Sequence, residues 1–227
     1  MQSFTLNGIT LEIPEHVMTD TLIEALVSGR YEGSEAAALT RHLRPGDRML
    51  ELGSGAGYLA ALAAGVIGAE AVLGVEAHPE MAQVARANLK RNDAGAADIL
   101  WGAAVADDFA ADAAPFWTRM AYWASALATE EQAATAGPRL AEVPALRIGA
   151  LIARHRPTVL VSDIEGGELA LFDRPLAAHI RLLVLEIHPG NYGLAGVKRI
   201  FDALSAQGLV YCAPGSRGDT LVFERLA

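Results

Sequence analysis

Residues 48–58 read Arg-Met-Leu-Glu-Leu-Gly-Ser-Gly-Ala-Gly-Tyr, and this stretch decides the fold. It begins as a short apolar strand that ends in Glu51, and it continues with three glycines before an apolar helix that starts at Tyr58. Glycines at such a turn let the backbone approach a ligand closely, and the free N–H groups at the start of the helix face that ligand. The stretch therefore predicts a ligand-binding loop at the carboxyl end of a buried strand.

Short apolar segments alternate with helical segments along much of the remaining chain. Strands are predicted at residues 71–75, 97–101, 158–162 and 181–187, and helices at residues 58–66, 79–90, 167–172 and 195–206. Two closely spaced strands follow at residues 209–212 and 220–223. Such alternation favours a parallel sheet with helices on both faces, and the final pair favours an antiparallel edge. We predict the α/β class, with a doubly wound, mostly parallel sheet and an antiparallel edge strand.

The first 47 residues carry a different pattern. Apolar residues alternate over residues 4–13 around Asn7-Gly8, which predicts a hairpin. Helical spacing follows over residues 18–43, with one glycine-containing bend. We therefore expect a single domain over residues 1–227 that begins with a hairpin and helices.

Charge and composition limit the classes of function. The chain has 18 Lys and Arg against 27 Asp and Glu, so its formal net charge is −9. Nucleic-acid binding relies on basic surfaces that neutralise phosphates, so we expect no nucleic-acid partner. Cys212 is the single cysteine, and the sequence shows neither a signal-peptide pattern nor an apolar run of the roughly 20 residues that a membrane span needs. We expect a cytoplasmic protein that does not contact a membrane.

A second carboxylate narrows the classes of ligand that the glycine loop could bind. Glu76 ends the next predicted strand, about twenty residues beyond the glycine loop, where an acid can accept hydrogen bonds from ribose hydroxyls. The glycines follow a G-x-G-x-G spacing, whereas a dinucleotide site uses G-x-G-x-x-G for its pyrophosphate. Glu51 would also repel a pyrophosphate, but it suits a ligand with an ammonium and a sulfonium group. S-adenosylmethionine therefore fits this loop better than NAD.

Residues 51–57 match the pattern E/D-x-G-x-G-x-G in full and resemble the first motif of class I methyltransferases. A second cluster, Val159-Leu-Val-Ser-Asp-Ile-Glu-Gly-Gly-Glu168 followed by Leu183-Val-Leu-Glu-Ile-His-Pro189, resembles the D-x-E-G-x-E and E-x-H segments of FkbM-type methyltransferases. Gly29-Arg-Tyr-Glu32 and Pro45-Gly46 resemble the lead-in of that family. The resemblance implies a class I, Rossmann-like methyltransferase fold with S-adenosylmethionine as cofactor. Ser162 departs from the family, which usually has a lysine at that position.

We predict two sets of site residues. Asp163, Glu186 and His188 are the predicted catalytic groups, because they follow neighbouring strands at the edge where open α/β sheets bind ligands. His188 is the best candidate base by its intrinsic pKa, with Asp163 as the alternative. The predicted cofactor contacts are Glu51, Gly53, Ser54, Gly55, Gly57, Tyr58, Glu76, Ala77, Ala103 and Ala104.

Two neighbouring regions have two interpretations each. Glu165 and Glu168 either join the chemistry or stabilise the amino terminus of the next helix. Residues 107–149 interrupt the alternation and carry several aromatic side chains, so this insertion either covers an acceptor pocket as a lid or packs onto the core. These aromatic side chains are Phe116, Trp117, Tyr122 and Trp123.

The leading hypothesis is an enzyme, an S-adenosylmethionine-dependent methyltransferase that acts on a hydroxyl group of a small metabolite, sugar or natural product. The FkbM resemblance, and not the composition, implies the hydroxyl. Several carboxylates could give Mg²⁺ or Ca²⁺ an oxygen shell, but the resemblance requires no metal and we expect none. The alternatives are an NAD-dependent oxidoreductase and a protein that binds S-adenosylmethionine without catalysis.

Overall fold

The computed structural model describes residues 1–135 and 137–226. The strands in these residues are β1 Gln2–Leu6, β2 Ile9–Ile13, β3 Met49–Leu52, β4 Val72–Glu76, β5 Asp98–Trp101, β6 Ala103–Val105, β7 Ala113–Trp117, β8 Ala126–Leu127, β9 Leu140–Arg147, β10 Val159–Ser162, β11 Leu182–Glu186, β12 Leu209–Arg217 and β13 Thr220–Arg225. The α-helices are α1 Asp20–Val27, α2 Gly33–His42, α3 Tyr58–Ile67, α4 Pro79–Arg91, α5 Glu130–Ala134, α6 Ile148–His155, α7 Glu168–Phe172 and α8 Pro189–Ala206. None of the helices in this part of the chain is both long and apolar enough to cross a membrane.

The central sheet has seven strands in the order β12-β13-β11-β10-β3-β4-β5. Neighbouring strands from β11 to β5 pair in parallel, whereas β13 pairs antiparallel with β11 and with β12. The predicted doubly wound, mostly parallel sheet is confirmed. Its antiparallel edge is a hairpin, with β12 as the outermost strand.

Alternate residues of the central strands pack on opposite faces of the sheet. Met49 and Val159 belong to a core that includes side chains of α2, α3 and α4. Leu50 and Leu160 belong to a second core that includes side chains of α6, α7 and α8. Because helices cover both faces, the exposed ends of the parallel strands are left for ligand binding.

The predicted amino-terminal hairpin and helices are present. Asn7 and Gly8 both have positive φ, of 48° and 82°, as a two-residue hairpin turn requires. The buried Asn88 of α4 fastens the hairpin to the glycine loop: its Nδ2 donates to the carbonyl of Ala56 at 2.9 Å, and its Oδ1 accepts from the N–H of Glu12 at 2.9 Å. The hairpin therefore supports the loop from behind.

The insertion at residues 107–149 holds β7, β8 and β9, which join β6 in a second sheet of order β6-β9-β7-β8. The sequence pattern predicted no strand here because Pro115 and Pro144, which lie within β7 and β9, lack the N–H that a ladder uses. It also missed α6, whose first residues overlap the end of the insertion. The missed sheet matters because it stands beside the carboxyl ends of the central strands.

A partly buried ion pair joins three central strands at their amino ends, opposite the glycine loop. Asp47, just before β3, accepts hydrogen bonds from the guanidinium of Arg181, which precedes β11. Asp47 also accepts from the Thr158 hydroxyl before β10 at 2.8 Å and from the N–H of Arg44 at 2.8 Å. Burial opposes ionisation of Asp47, but these hydrogen bonds outweigh it and lower the pKa of the carboxyl.

The lowered pKa of Asp47 gives a pH-dependent prediction. A carboxyl whose pKa is lower when folded adds stability that is fully present above its unfolded pKa, near 4, and is lost as the pH falls through its folded pKa. We expect Asp47→Asn to lower the free energy of unfolding by about 3 kcal/mol at pH 7 and by clearly less at pH 3. Urea unfolding at both pH values measures this difference.

Asp202→Asn is the control, because Asp202 forms an exposed ion pair with Lys198. We expect this control to change the free energy of unfolding by no more than about 0.5 kcal/mol. A loss for Asp47→Asn that is the same at pH 7 and pH 3 would contradict the assignment.

Candidate functional site

A cavity lies at the carboxyl ends of β3, β4 and β10. Its wall contains six of the ten predicted cofactor contacts: Gly53, Gly55, Glu76, Ala77, Ala103 and Ala104.

The other predicted contacts, Glu51, Ser54, Gly57 and Tyr58, lie behind this wall. Glu51 is 1% exposed, and burial raises the pKa of its carboxyl to about 7. The Tyr58 hydroxyl accepts a hydrogen bond from Asn7 Nδ2 at 2.6 Å, so this side chain joins the helix to the hairpin. A cofactor role for these four residues stays a prediction, and their packing supports the loop that forms the wall.

Glu76 ends β4 at the cavity, where the glycine loop and the start of α4 hold its carboxylate. The Oε2 atom accepts from the N–H of Gly55 at 2.7 Å, and the Oε1 atom accepts from the N–H of His78 at 2.7 Å. Burial nevertheless raises the pKa of Glu76 to about 7. The orientation of this carboxylate is therefore fixed, and ligand hydroxyl groups at the cavity can use its remaining acceptor positions.

Gly53 joins the two halves of the site. Its φ is +88°, and a Cβ atom placed on it would overlap the backbone carbonyl oxygen of Asp163. Only a glycine meets both requirements. The turn after β3 therefore packs directly on the turn after β10.

The predicted catalytic residues lie together at this edge of the sheet. His188 Nε2 is 3.6 Å from Asp163 Oδ1 and 3.5 Å from Glu165 Oε2, and His188 Nδ1 is 3.2 Å from Glu168 Oε1. Donor atoms of Asp163, Glu186 and His188 fall within 4.8 Å of one another. This compact set could accommodate a divalent cation, and the expected absence of a metal stays a prediction.

The cluster is acidic, and its protonation reflects burial and crowding. Burial, followed by the charges of Glu186 and Glu165, raises the pKa of Asp163 well above its usual range. Burial also raises the pKa of Glu165 and of Glu186. For His188, burial lowers the pKa, but Glu168 and the neighbouring carboxylates outweigh it and raise the pKa. The surroundings therefore favour the protonated form of each of these four groups.

Glu168 combines the two roles that the sequence left open. Its side chain is 0% exposed, and its Oε1 atom accepts from the N–H groups of Ile164 at 3.1 Å and Gly166 at 3.3 Å. These bonds fix the turn that carries Asp163, while the same oxygen faces His188. Glu168 thus stabilises the turn and places its carboxyl group beside the histidine.

A second, more open cleft also borders Asp163. The cleft and the first cavity share five lining residues: Tyr31, Glu32, Trp123, Asp163 and Glu165. The sequence did not predict Tyr31 or Glu32 as site residues, although Tyr-Glu stood in the family lead-in. Their positions depend on the packing of the bend before α2 against the glycine loop.

The insertion contributes aromatic side chains to the cavity. Phe116 of β7 and the turn residues Tyr122 and Trp123 line it, whereas Trp117 does not. The hydroxyl groups of Tyr31 and Tyr122 are hydrogen-bonded at 2.9 Å. The insertion and the amino-terminal segment therefore meet over the glycine loop, and a lid function for the insertion stays a proposal.

The contact at Gly53 gives a mutational prediction. Gly53→Ala adds a methyl group that overlaps a backbone carbonyl, so we expect a loss of about 3 kcal/mol or more in the free energy of unfolding. Gly8→Ala is the control, because Gly8 has a φ of +82° but open space around the added methyl group. We expect a loss of about 1 kcal/mol there. Urea unfolding compares the two, and equal losses would show that the close approach is dispensable.

Comparisons with known proteins give matches to methyltransferases over part of the chain. The family model of protein-L-isoaspartate(D-aspartate) O-methyltransferase matches residues 15–117. The chain is 49% identical to the ribosomal protein L11 methyltransferase of Thermus thermophilus over 70 residues. These aligned residues make up 30% of this chain and 27% of that protein. The match thus spans about a quarter of the relative's length.

Two methyltransferases of known structure also align with this chain, at low sequence identity. The precorrin-6y C5,15-methyltransferase of Geobacter metallireducens aligns with a TM-score of 0.47 and 12% identity, over 95% of this chain and 94% of that chain. The O-methyltransferase of Bacillus cereus in complex with SAH aligns with a TM-score of 0.44 and 13% identity, over 92% and 82% of the two chains. The order and direction of the seven strands in the central sheet are those of the class I methyltransferase fold, whose cofactor is S-adenosylmethionine.

Proposed function

We propose that this protein is an S-adenosylmethionine-dependent methyltransferase of the FkbM type that methylates a hydroxyl group of a small metabolite, sugar or natural product. One observation carries the proposal. Two cavities meet at Asp163 and Glu165, with the predicted cofactor loop on one side and an open cleft on the other. Methyl transfer needs such a junction, because the donor and the acceptor must meet in line with water excluded.

The residues around the first cavity fit the cofactor. Glu76 offers a fixed carboxylate for ribose hydroxyls, and Ala103 and Ala104 line the same part of the wall. Gly53 and Gly55 line the cavity, and the buried acids nearby suit the ammonium and sulfonium charges. When bound, S-adenosylmethionine supplies a methyl group on a positively charged sulfur.

The chain's own residues then act on the acceptor. Phe116 and Trp123 line the cavity and restrict water, and Asp163 stands where the two cavities join. The acceptor hydroxyl would lose its proton as it is methylated, and His188 Nε2 would accept that proton. Glu186 and Asp163 stabilise the resulting imidazolium, and the products are a methyl ether and S-adenosylhomocysteine.

Further parts of the proposal concern partners and location. The acidic lining would repel nucleic-acid phosphates, which supports a small-molecule acceptor. We propose a cytoplasmic enzyme that needs no metal, and metal analysis of protein purified without chelator tests the latter. An NAD-dependent oxidoreductase is less well supported, because the carboxyl groups of Glu51 and Glu32 would stand close to a pyrophosphate.

Calorimetry and kinetics on two variants test the proposal. We expect wild-type protein to bind S-adenosylmethionine and S-adenosylhomocysteine but not NAD. Glu76→Ala removes the ribose acceptor and should weaken binding of both sulfur ligands by about tenfold or more. His188→Ala removes the base and should leave binding unchanged while turnover falls by about 100-fold or more.

The pH dependence of turnover checks the role of His188. A base must be deprotonated, so wild-type turnover should fall as the pH drops through the raised pKa of His188, and the variant should lose this limb. His16→Ala is a matched control on an exposed histidine. Binding of NAD alone, or equal loss of cofactor affinity in Glu76→Ala and His188→Ala, would contradict the proposal.

A further inference from the structure

Glu32 has a buried carboxyl oxygen and takes no part in the proposed proton transfer. It immediately precedes α2, and its φ of 46° is left-handed, a conformation that non-glycine residues rarely adopt. Such strain is retained where the surrounding structure fixes it, often at ligand sites. The strained backbone therefore makes the Glu32 side chain a candidate ligand contact.

The Glu32 side chain lies over the glycine loop. Its Oε1 atom is 3.4 Å from the point where a Cβ of Gly55 would stand, beside the Tyr31 hydroxyl at 3.1 Å from the same point. Its Oε2 atom is buried and has no hydrogen-bond partner among the described residues. A buried carboxylate oxygen without a partner is costly, so its occurrence at a cavity wall points to a ligand group that completes it.

The surrounding charges define that ligand group. Burial, followed by the charge of Glu51, raises the pKa of Glu32 well above its usual range. A cationic hydrogen-bond donor would reverse this effect, because it favours the ionised carboxylate. Glu32 and Asp163 line both the cavity and the neighbouring cleft, whereas Ala103 and Ala104 line the cavity alone. Glu32 therefore lies at the end of the cavity that joins the cleft. This is the end toward which the methionyl part of the cofactor would extend if Glu76 holds the ribose.

We infer that Glu32 binds the ammonium group of the methionyl part of the cofactor, so that the amino-terminal segment completes the cofactor site. The inference rests on the proposed function. It assigns one charged group of the ligand to one residue, and it explains why a strained glutamate covers the glycine loop. Tyr31, hydrogen-bonded to Tyr122 of the insertion, holds this segment in place.

Two ligands that differ in the methionyl part test the inference. S-adenosylhomocysteine carries the ammonium and carboxylate groups, whereas 5′-methylthioadenosine retains adenine, ribose and sulfur without them. We expect Glu32→Gln to weaken binding of S-adenosylhomocysteine by about 10- to 100-fold, the size expected for a charge-assisted hydrogen bond, and to leave binding of 5′-methylthioadenosine unchanged. Isothermal titration calorimetry measures both affinities.

Two variants serve as controls. Glu76→Gln should weaken binding of both ligands, because both contain the ribose. Glu24→Gln, on the exposed face of α1, should weaken neither. A thermal unfolding midpoint close to that of wild type shows that Glu32→Gln is folded, and Glu32→Asp, which keeps the charge on a shorter side chain, should recover part of the affinity for S-adenosylhomocysteine.

The outcomes separate the inference from the proposed function. If wild-type protein binds neither ligand, the proposed function fails and the inference fails with it. If wild type binds both ligands and Glu32→Gln weakens them equally, or weakens neither, Glu32 does not bind the ammonium and the inference alone is overturned.

Discussion

The contact of Gly53 with the carbonyl oxygen of Asp163 is the constraint on which the site depends. It brings the turn after β3 against the turn after β10, with no room for a side chain between them. As a result the glycine loop, which forms one cavity, and the acidic turn, which borders the second cleft, share a wall. A donor and an acceptor bound in these two spaces would be adjacent because two strand ends are in backbone contact.

The second feature that shapes the site is its group of carboxyl side chains, whose negative charge few nearby basic groups balance. Ser162, at the buried end of β10, carries no charge. Burial and the neighbouring carboxyl groups raise the pKa of Asp163, and the carboxyl groups around His188 raise the pKa of the histidine. A sulfonium cofactor would supply positive charge at this place. Part of the −9 net charge of the chain is therefore concentrated at the proposed active site.

The sequence predicted the regular part of the fold well, because strong periodicity and glycine turns act locally. The hairpin, the parallel strands and the helices on both faces all appear where apolar spacing placed them. The second sheet was missed because Pro115 and Pro144 argue locally against strands, although the pairing of β7 with β9 accommodates both. Helix α6 was missed within the same uninterpreted stretch.

The sequence by itself determined the glycine loop and the acidic residues at the ends of several strands. Together these features indicate the class of ligand. These features are encoded over a few adjacent residues, where backbone torsion and strand direction decide the outcome. Only the tertiary structure decided that Tyr31, Glu32 and the insertion aromatics lie over that loop, since residues 31 and 122 meet across 91 positions of the chain. Such contacts depend on how separate elements pack, and no local pattern records them.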